Sequence, residues 1–177
     1  MTEVGSNRAY LGLGSNIEPQ NNLPAAVRLL GNYGRVTAVS TVWETAPVGF
    51  LEQPNFLNAA ALMITNLTAG ELREQAIAEV ERQLHRVRDP HNVNGPRTID
   101  VDLLLYNRDV TRSGSHDIPD PQILKRPFLA VPLAEIDPEY VHPVTGQTLR
   151  QIAEDTQFSQ EAMKQRCDLD LGSAFGA

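Results

Sequence analysis

Two aspartates stand one residue apart in "GPRTIDVDLLLY", residues 95–106, where Val, Leu and Ile otherwise indicate a buried strand. Alternate residues of a strand point to the same face and lie roughly 6.6 Å apart, so Asp100 and Asp102 are predicted neighbours. Their repulsion is about 2–3 kcal/mol at an effective dielectric constant near 20, and well under ~1 kcal/mol in water. The pair therefore either faces solvent or binds a divalent cation such as Mg²⁺, which prefers carboxylate ligands.

A third acid and three arginines are predicted to lie near this pair. Glu81 falls on the flank of the apolar face of a helix that should pack on the sheet. It is either a metal ligand or a solvated partner for charges on its own helix. Arg86, Arg88 and Arg97 follow Glu81 and precede the two aspartates in the chain. Acids and guanidinium groups that converge in this way are typical of a site for a polyphosphate and a metal ion.

The elements that must position these residues follow the order β-α-β-β-α-β. The strands are predicted in residues 9–16, 35–45, 56–65 and 94–106, and the helices in residues 22–34 and 67–87. The second helix begins with a capping box of Thr68 and Glu71. This order predicts a ferredoxin-like α+β fold, an antiparallel sheet with helices packed on one face, followed by an extended C-terminal segment. We expect a single domain over residues 1–177, with a core of about 9–155, a flexible N-terminal leader and a C-terminal tail that frays.

Composition restricts the class of protein. The net charge of −7 argues against a partner that is a nucleic acid or a membrane surface, since both attract basic proteins. The single cysteine, Cys167, excludes an internal disulfide and a cysteine-based metal cluster. No leader with an apolar core and no apolar run near 20 residues is present. We expect a cytoplasmic monomer that acts on small molecules.

Other common phosphate and metal motifs are absent from the sequence. It contains no G-x-x-x-x-G-K-[ST], which excludes a P-loop, and "GLGSNI" lacks the third glycine of a dinucleotide-binding turn. Trp43 is interpreted as a core residue. The four histidines lack metal-ligand spacing and are interpreted as surface or loop residues: His85, His91, His116 and His142.

Five segments in this order resemble the 6-hydroxymethyl-7,8-dihydropterin pyrophosphokinase family of folate synthesis. They are "LGSN" at 13–16, "ETAPVG" at 44–49, "QPNFLNA" at 53–59, "GPRTIDVDLLLY" at 95–106 and "IPDPQILKRPF" at 118–128. The resemblance covers residues 9–155. It implies transfer of the pyrophosphoryl group of ATP to the hydroxymethyl group of a reduced pterin, with release of AMP. Positioning and charge neutralisation would then supply most of the rate.

The resemblance also implies roles for the charged residues. Asp100 and Asp102 would hold two Mg²⁺ ions that bridge the triphosphate, and Arg86 and Arg97 would join them as catalytic residues. Glu81 would contact the nucleotide through its ribose, in place of a metal ion. The implied ATP-binding set is Glu81, Arg86, Arg88, Arg97, Leu103 and Arg126.

The pterin half of the site falls on the remaining motifs. Phe56 and Phe128 would sandwich the flat ring, an arrangement that suits offset stacking. Asn58 would pair with the amide edge of the ring. The implied pterin-binding set is Asn16, Thr45, Ala46, Val48, Gln53, Phe56, Asn58 and Phe128.

Several positions depart from the pattern of the family. Asn94 and Val93 stand where Trp and Arg are common, His85 replaces a Gly, and Asp120 replaces a His of "IPHP". The loop "RDPHNVN" is one residue longer than in some relatives. These changes predict weaker nucleotide affinity or slower loop closure. They also keep two alternatives open: a non-catalytic relative that binds pterin or nucleotide, and a Mg²⁺-dependent kinase with another acceptor, which would release ADP.

Overall fold

The computed structural model describes residues 6–155 and 162–175. Its strands and helices follow one another as β1 Asn7–Ser15, α1 Pro19–Leu30, β2 Arg35–Val39, β3 Val42–Thr45, β4 Phe56–Thr65, α2 Ala69–Glu71, a π-helical stretch Leu72–Ile77, α3 Ala78–Gln83, β5 Asp100–Tyr106, β6 Thr111–Ser113, β7 His116–Ile118, α4 Pro127–Ile136, α5 Leu149–Ala153 and β8 Met163–Arg166. Short 3₁₀ helices occur at Pro121–Leu124 and Gly172–Ala174.

The main sheet has the order β5-β1-β4-β3-β8, with β2 also paired to β4, and its pairings are antiparallel. This arrangement confirms the predicted ferredoxin-like α+β fold. The strand predicted over 35–45 is two strands, because the chain departs from regular pairing at Ser40. There the Ser40 hydroxyl accepts a hydrogen bond from the backbone N–H of Ala60 at 2.8 Å.

One face of the sheet carries the predicted helices. Leu23, Ala26, Val27 and Leu30 of α1 are buried against it. The capping box of Thr68 and Glu71 is present at the start of the second helical segment, which runs without a break from α2 through the π-helical stretch to α3. The predicted packing of α1 on the sheet and the predicted capping box of the second helix are both confirmed.

Helices also cover the other face, which the sequence interpretation did not foresee. Ala130 and Leu133 of α4 pack with Leu62 of β4 and Leu104 of β5 in a second core cluster. Strands buried on both faces have nearly continuous apolar runs instead of alternating ones, and "AAALM" and "LLLY" have this character.

The C-terminal segment differs from the expected fraying tail. β8 pairs with β3 along the edge of the sheet, and Leu171 is 1% exposed in the core cluster beneath α1. Burial of the apolar Leu171 side chain stabilises the packing of this segment against the rest of the domain. Residues 176–177 of the tail and residues 1–5 of the N-terminal leader lie outside the described residues.

Two side chains lie in surroundings other than those predicted. Trp43 is half-buried instead of a core residue, and its indole N–H donates a hydrogen bond to Glu135 of α4. His142 lies in a loop, as expected, but its ring is buried and its Nδ1 accepts from the backbone N–H groups of Val144 and Thr145.

The helices of residues 6–155 and 162–175 include none long and apolar enough to cross a membrane.

Candidate active site

Strand β5 presents its two aspartates on one face, as the alternation predicted. Asp100 pairs in register with Gly14 of β1 and Asp102 with Gly12. Val101 and Leu103 point the other way, into the core below the predicted helices. Both aspartates are half-buried. The alternative in which they face open solvent is therefore wrong.

The surroundings of Asp102 disfavour its charged form. Burial raises the pKa of Asp102 to about 7, and the negative charges of Asp100 and Asp120 add to this rise, while Arg86 opposes it. A buried carboxyl group beside other carboxylates ionises readily only when a cation compensates its charge. The donor set of Asp100 and Asp102 therefore fits a divalent cation.

Three predicted arginines form one ion-pair network with Asp100 and Glu81. Arg86 Nη1 donates to Oε1 of Glu81 at 2.6 Å and also to Oδ1 of Asp100. Arg97 Nη1 lies 3.2 Å from Oδ2 of Asp100, and Arg88 Nη2 lies 2.8 Å from Oε2 of Glu81. The Arg86 side chain is 8% exposed, whereas that of Arg88 is 70% exposed. Arg86 is thus held inside the site, and Arg88 extends into solvent.

Glu81 connects this network to the strand. Its buried carboxylate also accepts a hydrogen bond from the backbone N–H of Val101 at 3.2 Å. Across residues 6–155 and 162–175, no group of three or more acidic, histidine or cysteine side chains has the geometry of a metal site. The geometry therefore does not support Glu81 as a third metal ligand beside the aspartates.

A cavity of about 150 Å³ brings most of the predicted pterin-binding residues together. Its lining includes six of the eight, together with Gly14, Asn94, Arg97 and Asp100: the six are Thr45, Ala46, Val48, Phe56, Asn58 and Phe128. The buried Asn58 amide donates to Thr45 Oγ1 at 2.8 Å. The guanidinium carbon of Arg97 lies 5.6 Å from the centre of the Phe56 ring. The cavity thus combines aromatic walls and a polar amide with the charged groups of Arg97 and Asp100.

The two other members of that set lie beside the cavity instead of lining it. Asn16 Nδ2 donates to Oε1 of Gln53 at 2.8 Å. Asn16 is buried at the end of β1, and Gln53 lies in the 46–55 loop between β3 and β4. Their amides contact protein backbone on several sides.

A larger cavity, about 680 Å³, lies along the 84–99 loop between α3 and β5. Its lining includes Arg86, Arg88 and Arg97. Arg97 contributes to both cavities, so they adjoin at this residue. A polyanion in the larger cavity would contact three guanidinium groups.

The two remaining predicted nucleotide contacts have different outcomes. Leu103 is 3% exposed and its side chain packs in the hydrophobic core, so the predicted contact with nucleotide would have to come from its backbone. Arg126 is half-buried just before α4, two residues from Phe128. Within the part of the chain that the structure describes, no acid forms an ion pair with Arg126.

Local structure suits one of the departures from the family pattern, Asp120, and disfavours another, His85. The Asp120 carboxylate accepts from the N–H of Gln122 at 2.8 Å and caps the 3₁₀ helix at Pro121–Leu124, a role that suits Asp. Burial raises the pKa of Asp120. His85 has a φ of 58°, in the left-handed region that glycine adopts most readily.

Sequence reasoning missed two contributors to the pterin cavity, Gly14 and Asn94. A Cβ atom at Gly14 would lie 3.3 Å from Oδ1 of Asn58, so glycine leaves room for that amide. Asn94 directly precedes the "GPRT" segment, and this position is the signal in the sequence that could have placed it at the site.

The sequence matches a family model described as 7,8-dihydro-6-hydroxymethylpterin-pyrophosphokinase (HPPK) over residues 10–138. A 2-amino-4-hydroxy-6-hydroxymethyldihydropteridine pyrophosphokinase of Bacillus subtilis is 37% identical over 168 residues, 93% of this chain and 95% of that protein. The protein of the same description from Aquifex aeolicus is 36% identical over 143 residues, 80% of this chain and 88% of its own length.

Solved structures of similar fold come from Plasmodium falciparum HPPK-DHPS. A triple mutant of that protein matches 92% of this chain with a TM-score of 0.72 and 15% identity. The wild type, solved with pterin and p-hydroxybenzoate, matches 84% of this chain with a TM-score of 0.66 and 16% identity. This chain spans 45% and 41% of the respective chains. At such identities the likeness shows the fold alone.

Proposed function

The chain belongs to the 7,8-dihydro-6-hydroxymethylpterin-pyrophosphokinase family, and we propose that it transfers the pyrophosphoryl group of ATP to the hydroxymethyl group of 6-hydroxymethyl-7,8-dihydropterin, releasing AMP in folate biosynthesis. One observation carries the proposal for the site. The cavity lined by Phe56, Asn58 and Phe128 is also lined by Asp100 and Arg97. A flat heterocycle in that cavity would therefore have its substituent beside the groups that bind phosphate and metal.

The pterin ring binds between Phe56 and Phe128, where two aromatic faces favour a flat ring by stacking. Asn58 offers an amide to the polar edge of the ring, and its bond to Thr45 fixes the orientation of that amide. Thr45, Ala46 and Val48 complete the pterin contacts.

Arg86, Arg88 and Arg97 bind the triphosphate from the larger cavity, and Arg126 adds a fourth positive charge from the start of α4. Glu81 holds Arg86 and Arg88 in place, and we assign it a contact to the nucleotide as well. Guanidinium groups suit this role because they bind phosphate oxygens in a bidentate manner.

Asp100 and Asp102 would hold Mg²⁺, two ions by the family resemblance. Bound Mg²⁺ would supply positive charge that offsets the negative charge of the triphosphate. The residues of this chain contribute the alignment: the aromatic walls and Asn58 hold the hydroxymethyl oxygen, and the arginines hold the β-phosphorus for in-line attack. The new bond joins that oxygen to the β-phosphorus, and the bond from the β-phosphorus to the oxygen that bridges it to the α-phosphorus breaks. That oxygen leaves with AMP, and the hydroxyl proton is released.

The pterin cavity is lined by residues of four strands of the main sheet, of the 46–55 and 84–99 loops and of helix α4. We further propose that the protein acts as a monomer with a single domain, and that it acts in the cytoplasm, a reducing compartment that suits a chain with a single cysteine.

Identification of the nucleotide product tests the proposed reaction. The protein is incubated with ATP, Mg²⁺ and 6-hydroxymethyl-7,8-dihydropterin, and nucleotides are separated by anion-exchange chromatography. We expect one AMP for each pterin consumed. Release of ADP would instead indicate a kinase with another acceptor, and no turnover would indicate a non-catalytic binding protein.

A further inference from the structure

Helix α4 lies beside strand β3 and carries one wall of the pterin cavity. Phe128 stands in the first turn of α4 and lines the cavity together with Thr45, the last residue of β3. Glu135 stands seven residues later in the helix, so its side chain projects from nearly the same side, about 10 Å further along the axis. There it contacts Thr41, which directly precedes β3. The helix therefore follows the strand from the cavity to Thr41.

The Glu135 carboxylate binds this strand through several donors. The backbone N–H of Thr41 donates to its Oε2 at 3.0 Å, and the Thr41 hydroxyl lies 2.8 Å from Oε2 and 2.9 Å from Oε1. The indole N–H of Trp43 donates to Oε1. Hydrogen bonds to an ionised carboxylate are roughly twice as strong as those between neutral groups. Glu135 is exposed, but a backbone N–H and an indole N–H are rigid donors, unlike the flexible side chains of a surface ion pair.

The apolar contacts of α4 hold it on the sheet without specifying where it stands along the strand. Ala130 and Leu133 pack with Leu62 and Leu104 in the second core cluster. Apolar attraction has no preferred direction, whereas hydrogen bonds require a defined geometry. The bonds of Glu135 therefore specify the position of α4 relative to β3.

A proline inside α4 makes this attachment important for Phe128. Pro132 has no N–H to donate to the carbonyl oxygen of Phe128, four residues earlier. The first turn of the helix, which carries the aromatic wall, thus lacks one bond of the helical ladder. Its position depends on how the rest of α4 is attached to the sheet.

Strand β3 is in turn fixed to the opposite wall of the cavity. Trp43 pairs in register with Asn58 of β4, and Thr45 pairs with Phe56. The Asn58 amide donates to Thr45 Oγ1 at 2.8 Å and to the carbonyl oxygen of Trp43 at 3.5 Å. The carboxylate that fixes α4 to β3 therefore also sets the distance between Phe128 and Phe56.

We infer that Glu135 is a positioning residue that sets the separation of the two aromatic walls, and through it the affinity for the pterin. This inference rests on the proposed function, because it takes a pterin as the flat ligand of the cavity. Glu135 is not among the described residues that line the cavity, so it acts through Phe128 and not on the ligand. A gap of about 0.5–1 Å on one side of a ring already loses roughly a quarter to a half of the dispersion attraction there.

Glu135→Gln and Glu135→Ala test the inference by equilibrium binding. The first keeps the side-chain size but turns one acceptor oxygen into an N–H donor that faces other donors. The Kd of 6-hydroxymethylpterin is measured by titration calorimetry with Mg²⁺ and α,β-methylene-ATP present. It should rise roughly three- to tenfold in both variants, because part of the stacking is lost. The Kd of the nucleotide should stay within about twofold, since Arg86, Arg88 and Arg97 lie outside α4.

Glu139→Ala is the matched control. Glu139 is an exposed glutamate just beyond the end of α4 and pairs with Arg150 at 2.6 Å. This variant should keep the wild-type Kd for the pterin. Thermal unfolding verifies that each variant is folded, and Glu135→Gln carries the test if the alanine variant does not fold.

A double-mutant cycle shows whether Glu135 acts through the ring. In a Phe128→Ala background, Glu135→Ala should change the Kd for the pterin by less than about twofold, because no ring remains to be positioned. If Glu135→Ala weakens pterin binding by the same factor with and without the ring, Glu135 supports the fold in general and the inference is overturned.

The fluorescence of Trp43 reports the contact itself. Trp43 is the single tryptophan of the sequence, and its indole donates to Glu135. Its emission maximum should shift in the Glu135 variants and stay unchanged in Glu139→Ala. Unchanged emission in all variants would show that the carboxylate is not bound to β3, which would overturn the inference.

Failure of the inference and failure of the proposed function are distinguishable. Folded Glu135 variants that bind the pterin as tightly as the wild type, or that lose pterin and nucleotide affinity equally, overturn the inference and leave the proposed function standing. If the wild type does not bind the pterin at all, the proposed function fails and the inference fails with it.

Discussion

At the scale of single residues, the candidate site includes one carboxyl group, that of Asp102, whose charged form the protein alone stabilises poorly. Asp102 is half-buried beside Asp100 and Asp120, and these surroundings raise its pKa to about 7. Glu81 and Asp100, by contrast, are neutralised by Arg86 and its neighbours. Asp102 is therefore the acid that most needs an added cation.

This environment predicts that Asp102→Asn stabilises the protein in the absence of metal. A folded-state pKa above the usual value near 4 contributes stability that is complete below that value and is lost as the pH rises through about 7. Melting temperatures in EDTA should therefore fall less between pH 5.5 and pH 8 for the variant than for the wild type. At pH 8 the variant should gain on the order of 1–2 kcal/mol.

Asp109→Asn is the control, because Asp109 is exposed in the turn after the same strand. It should follow the wild type. Asp102→Asn should also lose roughly a thousandfold or more of the turnover rate, since a metal ligand is removed. Two results would contradict this account. A variant whose melting temperature in EDTA depends on pH as in the wild type would show that the charged form of Asp102 is not disfavoured, and a loss of turnover rate below tenfold would show that Asp102 is not a metal ligand.

The aromatic wall predicts a selective effect on the pterin. Phe128→Ala removes one ring of the proposed stack, and stacking of a heterocyclic base on an aromatic side chain contributes about 1–3 kcal/mol. The KM for the pterin should therefore rise by roughly 5- to 150-fold, while the Kd for Mg²⁺-ATP stays within about twofold. Steady-state kinetics and nucleotide titration check the two values, and equal losses for both substrates would contradict the assignment.

Alternation along a strand was sufficient to predict that Asp100 and Asp102 share a face. It did not show that Leu103 is enclosed by the core, or that Trp43 bonds to Glu135, because both outcomes depend on helices distant in sequence. The burial of His142 was missed for the same kind of reason. Its loop folds back so that backbone N–H groups satisfy Nδ1.

At the scale of elements, α3 ends in a conformation that its sequence does not favour. His85 directly precedes the arginines of the 84–99 loop and has a φ of 58°. A non-glycine residue in the left-handed region costs about 1–2 kcal/mol, part of which glycine would lose again through its greater freedom in the unfolded chain. The helix end is therefore one origin of strain at the base of this loop.

His85→Gly should accordingly stabilise the protein by about 0.5–1 kcal/mol, because glycine adopts this φ without a Cβ clash. Urea unfolding followed by circular dichroism measures the change. His116→Gly serves as the comparison, since His116 is exposed on β7, where glycine should destabilise. If both glycine variants lower the midpoint equally, the backbone of His85 is not strained.

The order of elements was predictable because the hydrophobic period switches clearly between strand and helix over residues 9–106. The helices that cover the other face of the sheet were not predictable. The apolar segment that becomes α4 contains Pro127 and Pro132, and these prolines hide a helical pattern that packing on β4 nevertheless stabilises. Tertiary contacts, which the sequence does not display, decided this element.

At the scale of the whole molecule, the C-terminal segment supports the pterin side of the sheet. β8 pairs with β3, the strand that ends at Thr45, and Arg166 forms an ion pair with Glu44 at 3.1 Å. Leu171 then fills a place in the core beneath α1. The segment 162–175 is thus part of the scaffold, contrary to the expectation from its polar and glycine-rich sequence.

Leu171→Ala should destabilise the protein by about 2–4 kcal/mol, because a fully buried leucine leaves a cavity when truncated. Chemical denaturation gives the value. Leu51→Ala, at a leucine that is 72% exposed, should change the free energy of unfolding by less than about 0.5 kcal/mol. Equal stability of the two variants would mean that the C-terminal segment does not pack as described.

The central claim is that Asp100 and Asp102 bind divalent metal next to the pterin cavity. A crystal structure with Mn²⁺, α,β-methylene-ATP and 6-hydroxymethylpterin tests it most directly, because Mn²⁺ is located by its anomalous scattering. We predict anomalous peaks at both carboxylates and the triphosphate, with the pterin ring between Phe56 and Phe128. Metal bound to the nucleotide far from both aspartates, or a pterin outside this cavity, would contradict the account.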